Sequence, residues 1–342
     1  MRKRVDLGVI ADKVGVSKTT VHYALHQPER LGAETLQKVL AAVEELGYRP
    51  NLLARSLRTQ RSFTLGVVTT SLGNYFDKVF QGMEEVSLDS GYTIFIGCTR
   101  SDTAREREVV EGFLERAVEG LVIVPSESEE NAAFYQALAE ERVPFVFAEH
   151  GVPGVNADSV GTDDALGGKI ATEHLIRHGR KKVAFVPPPG ASREFNWVRR
   201  RLEGCNAALA AAGLEPAHEV IIEADQSERH DQHGYNVASH CLHDGSDCDG
   251  VFAANDELAW GVLRSLTDAG RQPGQDFGVI GFDDLDPSAY LRVPLTSLRH
   301  PMGAIGHEAF RLLLRRIEDG AELAVQRTLL DPTLVVRKSC GE

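Results

Sequence analysis

Two groups of residues in this chain have types and spacing that suggest chemistry. Ser17-Lys18-Thr19-Thr20-Val21-His22-Tyr23 offers hydroxyl, ammonium, imidazole and phenol donors in one short run, and Gly47-Tyr48-Arg49-Pro50-Asn51-Leu52-Leu53-Ala54-Arg55-Ser56-Leu57-Arg58-Thr59 is a basic stretch. Such donors neutralise phosphates and reach base edges, the two tasks of a nucleic-acid reader. The second group, His230, His233, His240, Cys241, His243 and Cys248, has the residue types of a zinc site. Its spacing fits no zinc pattern: His240 and His243 can share a helix face, but the set reads as a solvated helix and the loop Asp244 to Asp249. No metal and no other cofactor is therefore assigned. Neither phosphate-cradling loop, GxGxxG or GxxxxGK[ST], nor the nucleophile elbow GxSxG occurs in the right context, and Gly167-Gly168-Lys169 lacks both the upstream glycine and the hydroxyl residue. An enzymatic role is disfavoured, with no catalytic set to name.

The donors need a scaffold, and the flanking residues supply one. Asp6 can cap a helix whose apolar positions Leu7, Ile10, Ala11 and Val14 fall at helical spacing, and Gly15 supplies the turn. Ser17 caps a second helix, Lys18 to Leu25, with Val21, Ala24 and Leu25 facing inward. A third helix, Ala33 to Leu46, carries Leu36, Val39, Leu40 and Val43 on one stripe and closes the core. A short helix, a Gly-containing turn and a second helix with small exposed donors match a helix-turn-helix that enters the major groove. Pro50 stops the chain, and Asn51 restarts a short potential helix.

Charge follows the same division. The whole chain of 342 residues has a net charge of −13, but residues 1–61 hold 11 Lys/Arg against 6 Asp/Glu, and the remainder 26 against 44. A small basic head on an acidic body points to nucleic-acid contact at one end. The apolar fraction of 42% suits a globular protein of two or three domains. No apolar run of membrane-spanning length and no secretory leader is visible, which predicts a cytoplasmic protein without a membrane partner. The five cysteines, Cys98, Cys205, Cys241, Cys248 and Cys340, are odd in number and form no CxxC pair, so they read as reduced thiols.

Beyond Phe63, short β-rich runs alternate with helical stretches: Thr64 to Val68, Tyr92 to Gly97, Gly120 to Val124 and Pro144 to Phe147, then Val183 to Val186, Glu219 to Ile222, Gly250 to Ala253 and Phe277 to Gly281. Strands alternating with helices imply parallel sheets, and two such series imply two subdomains. Ligands of these sheets bind beyond the carboxyl ends of the strands, so a cleft between the two is the expected site.

The segments GVSKTTVHYAL and ELGYRPNLLARSLRT resemble the LacI/GalR-type repressors, and later segments extend the resemblance over essentially the whole chain. It implies an α/β sensor of periplasmic-binding-protein-like type, two doubly wound parallel-sheet subdomains, behind an all-α helix-turn-helix domain. The expected divisions are 1–47 for the reader, 48–61 for hinge and linker, 62–161 with 292–325 for the first sensor subdomain, and 162–291 with 326–342 for the second. The implied DNA-binding residues are Ser17, Lys18, Thr19, Thr20, His22 and Tyr23, with Asn51, Leu52, Ala54, Arg55, Leu57 and Arg58 from the hinge. Asn51 to Leu57 would enter the minor groove, Leu57 acting as an apolar wedge that partly unstacks a base step. Thr20-Val21-His22-Tyr23 departs from the family's usual Thr-Val-Ser-Arg. A Tyr hydroxyl cannot read a guanine edge bidentately as Arg does, so the resemblance does not carry the operator sequence over.

For the effector the resemblance implies Tyr75, Phe76, Ser126, His150 and Asp163 in the first half of the cleft, and Trp197, Arg201, Asn255, Asp256 and Asp283 in the second. Tyr75 and Phe76 would stack on a sugar or base face, or belong to the core. Asp163 and Asp256 suit helix caps as well as ligand contacts. Arg201 offers a planar fork of donors for hydroxyl pairs or carboxylates. The resulting expectation is a DNA-binding transcription regulator, of the repressor kind, whose operator affinity is set by a sugar or sugar derivative. It would bind a near-palindromic operator as a homodimer, since two-fold symmetry doubles the contacts of a small reader. The alternatives are a purine- or nucleoside-responsive regulator and a solute-binding protein feeding a transporter.

Overall fold

The computed structural model describes residues 5–48, 61–190, 194–225, 227–243, 248–320 and 323–341, which separate into an N-terminal unit, Met1–Ser62, and a larger unit, Phe63–Glu342. In the first, Asp6 starts helix α1 (Leu7–Val14) by accepting from Gly8 N at 2.7 Å and Val9 N at 3.1 Å, and left-handed Gly15 (φ 75°) ends it. Ser17 caps α2 (Lys18–His26), its hydroxyl accepting from Thr20 N at 3.0 Å. Together with α3 (Ala33–Glu45), these helices bury Ile10, Ala11, Val21, Ala24, Val39 and Ala42. The expected stripe on α3 is rotated: Ala42 is buried, whereas Leu40 is 44% exposed.

Among the described residues, the larger unit holds two six-stranded sheets. In chain order the elements are β1 (Thr64–Thr69), α4 (Asn74–Ser90), β2 (Thr93–Cys98), α5 (Thr103–Glu115), β3 (Gly120–Ile123), α6 (Ala132–Glu140), β4 (Phe145–Glu149), β5 (Asp158–Thr162), α7 (Asp164–Arg177), β6 (Val183–Val186), α8 (Asn196–Ala211), β7 (His218–Glu219), α9 (His230–His243), β8 (Gly250–Ala253), α10 (Asp256–Asp268), β9 (Gly278–Asp283), β10 (Thr296–Arg299), α11 (Met302–Asp319), β11 (Arg327–Leu330) and β12 (Thr333–Val335). The first sheet runs β11-β5-β4-β3-β1-β2 and the second β12-β10-β9-β8-β6-β7. All pairs are parallel except β10 with β12. Buried Val, Ile, Leu and Phe fill β1, β3, β4, β6, β8 and β9, as parallel strands covered on both faces require.

Two of the expected divisions move. Thr296–Arg299 pairs with β9 (Thr296↔Ile280), which puts residues 296–299 in the second sheet, and Arg327–Leu330 pairs with β5 (Arg327↔Ser159), which puts 327–330 in the first. Neither strand carries the continuous apolar run that marks an interior strand. Buried Asp158 decides the latter placement: it accepts from Arg316 Nη2 at 2.8 Å on α11 and from Gln326 N at 2.7 Å, drawing the chain after α11 onto β5. No helix among the described residues is long and apolar enough to cross a membrane.

Three helix pairs approach at reciprocal glycines: α4 with α11 at Gly82 and Gly306, α7 with α8 at Gly168 and Gly204, and α9 with α10 at Gly234 and Gly261. A Cβ at any of the six would strike a carbonyl of the facing helix. Overpacking of this kind costs about 1–3 kcal/mol or more when backbone has to move. Gly204→Ala is therefore expected to lower the thermal midpoint by several degrees, whereas Gly112→Ala, where a Cβ would meet only the end of the flexible Arg116 side chain, leaves it unchanged or raises it slightly. Calorimetry of the two variants tests the contrast in sign.

Candidate functional site

On the N-terminal unit, the cap at Ser17 sets the first turn of α2 so that Ser17, Lys18 and Thr19 are exposed, while Thr20, His22 and Tyr23 are half-buried. The Ser17 and Thr20 hydroxyls lie 2.9 Å apart, one donating to the other, so Ser17 serves the helix before it serves any ligand. The Tyr23 ring lies 5.3 Å from the Arg30 guanidinium, a cation–π contact that holds the phenol on this face. The other implied DNA contacts, Asn51, Leu52, Ala54, Arg55, Leu57 and Arg58, lie outside the described residues.

In the larger unit, the carboxyl ends of the two sheets enclose a cavity of about 730 Å³, well within the size range of small-molecule sites. Its second half is built around Arg201. The α7–α8 glycine contact brings this residue beside Asp164, whose Oδ1 accepts from Nε at 2.8 Å, and the Ala254 carbonyl accepts from Nη1. The guanidinium lies between the Trp197 ring, at 4.6 Å, and the Phe282 ring, at 3.4 Å. With the side chain only 4% exposed, the paired charge and the two ring faces offset the cost of removing it from water.

At the back of the cleft, His300 Nε2 lies 3.2 Å from Glu149 on the first sheet, and Nδ1 lies 3.5 Å from Asp283 on the second. The Tyr75 hydroxyl is 3.4 Å from Nε2. Glu149 (φ 73°) and Asp283 (φ 107°) both sit on left-handed backbone at strand ends, an arrangement that costs of order 1–3 kcal/mol each and collects at functional sites. Burial disfavours the charged imidazole, but Glu149 and Asp283 outweigh it and hold the His300 pKa up to about 9. In return, against burial, His300 holds the Glu149 carboxyl below its usual range. Burial first, and then the Glu149 carboxylate, push the Tyr75 phenol up.

Of the ten effector positions expected from the sequence, seven line this cavity: Tyr75, His150, Asp163, Trp197, Arg201, Asn255 and Asp283. Phe76, Ser126 and Asp256 do not. Phe76 packs into the core beside Val79 and Met83. Ser126 is buried and donates its backbone N–H to Glu106. Asp256 is fully buried, accepting from Leu285 N at 2.8 Å, the Ser288 hydroxyl at 2.6 Å and the Ser297 hydroxyl. Burial, with Asp283 nearby, raises its pKa to about 7. Of the two residues open between cap and ligand contact, Asp163 is both, lining the cavity and accepting from Leu166 N, whereas Asp256 is neither, because the cap of α10 is Asn255, which accepts from Leu258 N and itself lines the cavity. Glu127, Glu149, Asp164, His230, Glu257 and His300 also line the wall and were missed. The signal available for them was a charged residue just after a β-run or in the first turn of the next helix. Of the imidazole–thiol group, His233 is buried against Glu228 at 2.9 Å and His230 faces Asn255 Nδ2 at 2.8 Å; among the described residues no three such groups gather around a metal position.

Comparison with known proteins decides the family. Residues 7–51 match the family described as "Bacterial regulatory proteins, lacI family", and residues 172–340 match "Periplasmic binding protein-like domain". The HTH-type transcriptional repressor PurR of Photobacterium profundum is 30% identical over 332 residues, covering 96% of this chain and 97% of that protein. The chain belongs to the LacI family. Among solved structures, this LacI-family chain is similar to a lac repressor dimer bound to operator and the anti-inducer ONPF, with a TM-score of 0.86, 27% identity and coverage of 99% and 100%. It is also similar to a LacI-family transcriptional regulator from Enterococcus faecium with bound ribose, with a TM-score of 0.68, 27% identity and coverage of 81% and 98%. The LacI-family regulator described here is a DNA-binding repressor controlled by a small molecule.

The His300 cluster makes stability depend on pH. A folded pKa of about 9 against an ordinary 6.5 means that the contribution is fully present below about pH 6.5 and is lost as pH rises through about 9. Against His300→Gln, wild type is expected to be more stable by on the order of 1–3 kcal/mol near pH 6, a gap that closes above about pH 10. Denaturant unfolding of both proteins across that range measures it; a gap that widens with pH contradicts a charged His300.

Proposed function

We propose that this repressor binds a near-palindromic operator as a homodimer and that a sugar or sugar derivative in the 730 Å³ cleft sets its affinity. The observation that carries the reading is the cleft itself, where the Trp197 and Tyr75 rings stand among Arg201, Asn255 and Asp283 at facing strand ends. Flat apolar faces set among paired polar groups suit a ring bearing hydroxyls. The similarity to a regulator with bound ribose supports it. The similarity to a lac repressor dimer on operator supports the dimer and the operator. Lys18, Thr19, Thr20, His22 and Tyr23 on α2 carry the major-groove contact, with Ser17 as its cap. Asn51, Leu52, Ala54, Arg55, Leu57 and Arg58 extend that contact into the minor groove. The protein works in the cytoplasm, where its DNA lies, and has no catalytic role. A purine or nucleoside effector is the second reading, favoured by the 30% identity to PurR.

An effector alters operator affinity only through unequal affinity for two arrangements of the sensor. Arg201 and Asp283 are the proposed grips. An operator selected from random duplexes, followed by anisotropy titrations with and without ribose, tests them. Arg201→Ala and Asp283→Ala are expected to keep operator affinity within a few-fold when the DNA-bound state needs no ligand. They should lose the ligand's effect, typically 5–150-fold in such couplings. If the DNA-bound state needs ligand, both variants bind operator poorly at every concentration. An unchanged ligand response in both removes these residues from the site.

A further inference from the structure

The charge around the cleft is lopsided. Its wall carries six carboxylates, Glu127, Glu149, Asp163, Asp164, Glu257 and Asp283, against three cations, the guanidiniums of Arg200 and Arg201 and the protonated imidazole of His300. Both guanidiniums are already engaged: Arg201 donates Nε to Asp164 and Nη1 to the Ala254 carbonyl, and half-exposed Arg200 pairs with Glu203 at 2.8 Å. His300 is held between Glu149 and Asp283, and His150 lies 3.1 Å from Glu127. Burial, and after it the charge of His233, hold the His230 pKa down, which disfavours a positive charge on this imidazole.

Helix N-termini at the strand ends would ordinarily receive an anion, yet here those of α7, α8, α9 and α10 already have acidic partners. Asp163 caps α7, and Asp164 occupies its first turn. Asp256 and Glu257 occupy the first turn of α10, and Asp231 that of α9. Glu127 lies 3.4 Å from the first backbone N–H of α8. An incoming phosphate or carboxylate would displace one of these and meet the rest. Among the described residues, two buried oxygens on neighbouring strand ends of the wall, Glu149 Oε1 and Thr162 Oγ1, have no hydrogen-bond partner. The wall asks its guest for donors and for positive charge. Like-charge pressure is already present: burial, and then the charges of Asp283 and Asp231, raise the Glu257 pKa.

We propose that the effector of this cleft is a cationic polyol, a hydroxyl-rich ring carrying a protonated amine as amino sugars do, and that phosphorylated and acidic sugars are excluded. This rests on the reading of the cleft as a sugar-type effector site. The hydroxyls and ring face meet Trp197, Asn255 and Thr162, and the ammonium lies toward Glu149 and Asp283.

The test is a matched panel against the full chain: glucosamine, galactosamine and mannosamine, their N-acetyl forms, the parent hexoses and the hexose 6-phosphates. N-acetylation removes the charge and keeps the ring. At least one amine is expected to raise the thermal midpoint saturably, as a ligand of the native state must, and by calorimetry to bind at least about tenfold more tightly than its N-acetyl form and parent sugar. Glu149→Gln should erase most of that preference. The comparison within wild type stands even where the variant is unstable. A parent hexose or 6-phosphate that binds as tightly as its amine overturns the cationic effector and leaves the sugar reading intact. A panel in which nothing shifts the midpoint overturns both.

Discussion

The constraint on which the rest of the sensor depends is backbone-to-backbone approach of three helix pairs, possible because each helix of a pair offers a glycine to a backbone carbonyl of the other. Each pair places the first turns of its helices at the cleft. The α4–α11 contact sets Tyr75 beside His300, α7–α8 sets Asp164 beside Arg201, and α9–α10 sets His230 beside Asn255. A methyl group at any of these contacts would separate residues that now lie within hydrogen-bond reach, so the accuracy of the site is a packing property before it is an electrostatic one.

On that frame the molecule places charges where water cannot reach them, and each is offset differently. Arg201 is offset by a carboxylate, a carbonyl and two ring faces. Asp256 is satisfied by two hydroxyls and an amide, which tie the start of α10 to the loop after β9 and to β10. His300 joins Glu149 on one sheet to Asp283 on the other, both on left-handed backbone. Strain and paired charge at the junction of two subdomains make a natural element for a ligand to bias, because a change in the cleft's charge alters the interactions that hold the sheets at their present separation.

Much of this was legible beforehand. Caps at Asp6 and Ser17, the turn at Gly15 and the apolar strands β1, β3, β4, β6, β8 and β9 are written in local residue types, and local physics built them as expected. Strands β5, β10 and β11 were not legible, since Asp158-Ser159-Val160-Gly161-Thr162, Thr296-Ser297-Leu298-Arg299 and Arg327-Thr328-Leu329-Leu330 lack the run of β-branched and aromatic residues that announces an interior strand. Their pairing is settled by distant partners, as Asp158 with Arg316 shows for β11. Phe76, Ser126 and Asp256 looked like cleft residues because they follow strands, yet a shift of one position along a first turn separates wall from core: Tyr75 faces the cavity and Phe76 faces Val79 and Met83.

Family resemblance named Arg201 and Asp283 as residues of the cleft, while the sequence by itself determined the kinds of element and the basic reader ahead of an acidic body. Those features depend on residue type, period and neighbours within a few positions, all of which are carried along the chain. Tertiary structure alone decided which sheet received residues 296–299 and 327–330, that Glu149, His300, Glu127 and Glu257 stand on the same wall as Arg201, and that Arg201 is already paired. The physical reason is that the sign and availability of charge in a cavity are sums over residues far apart in the chain, and no local pattern encodes such a sum.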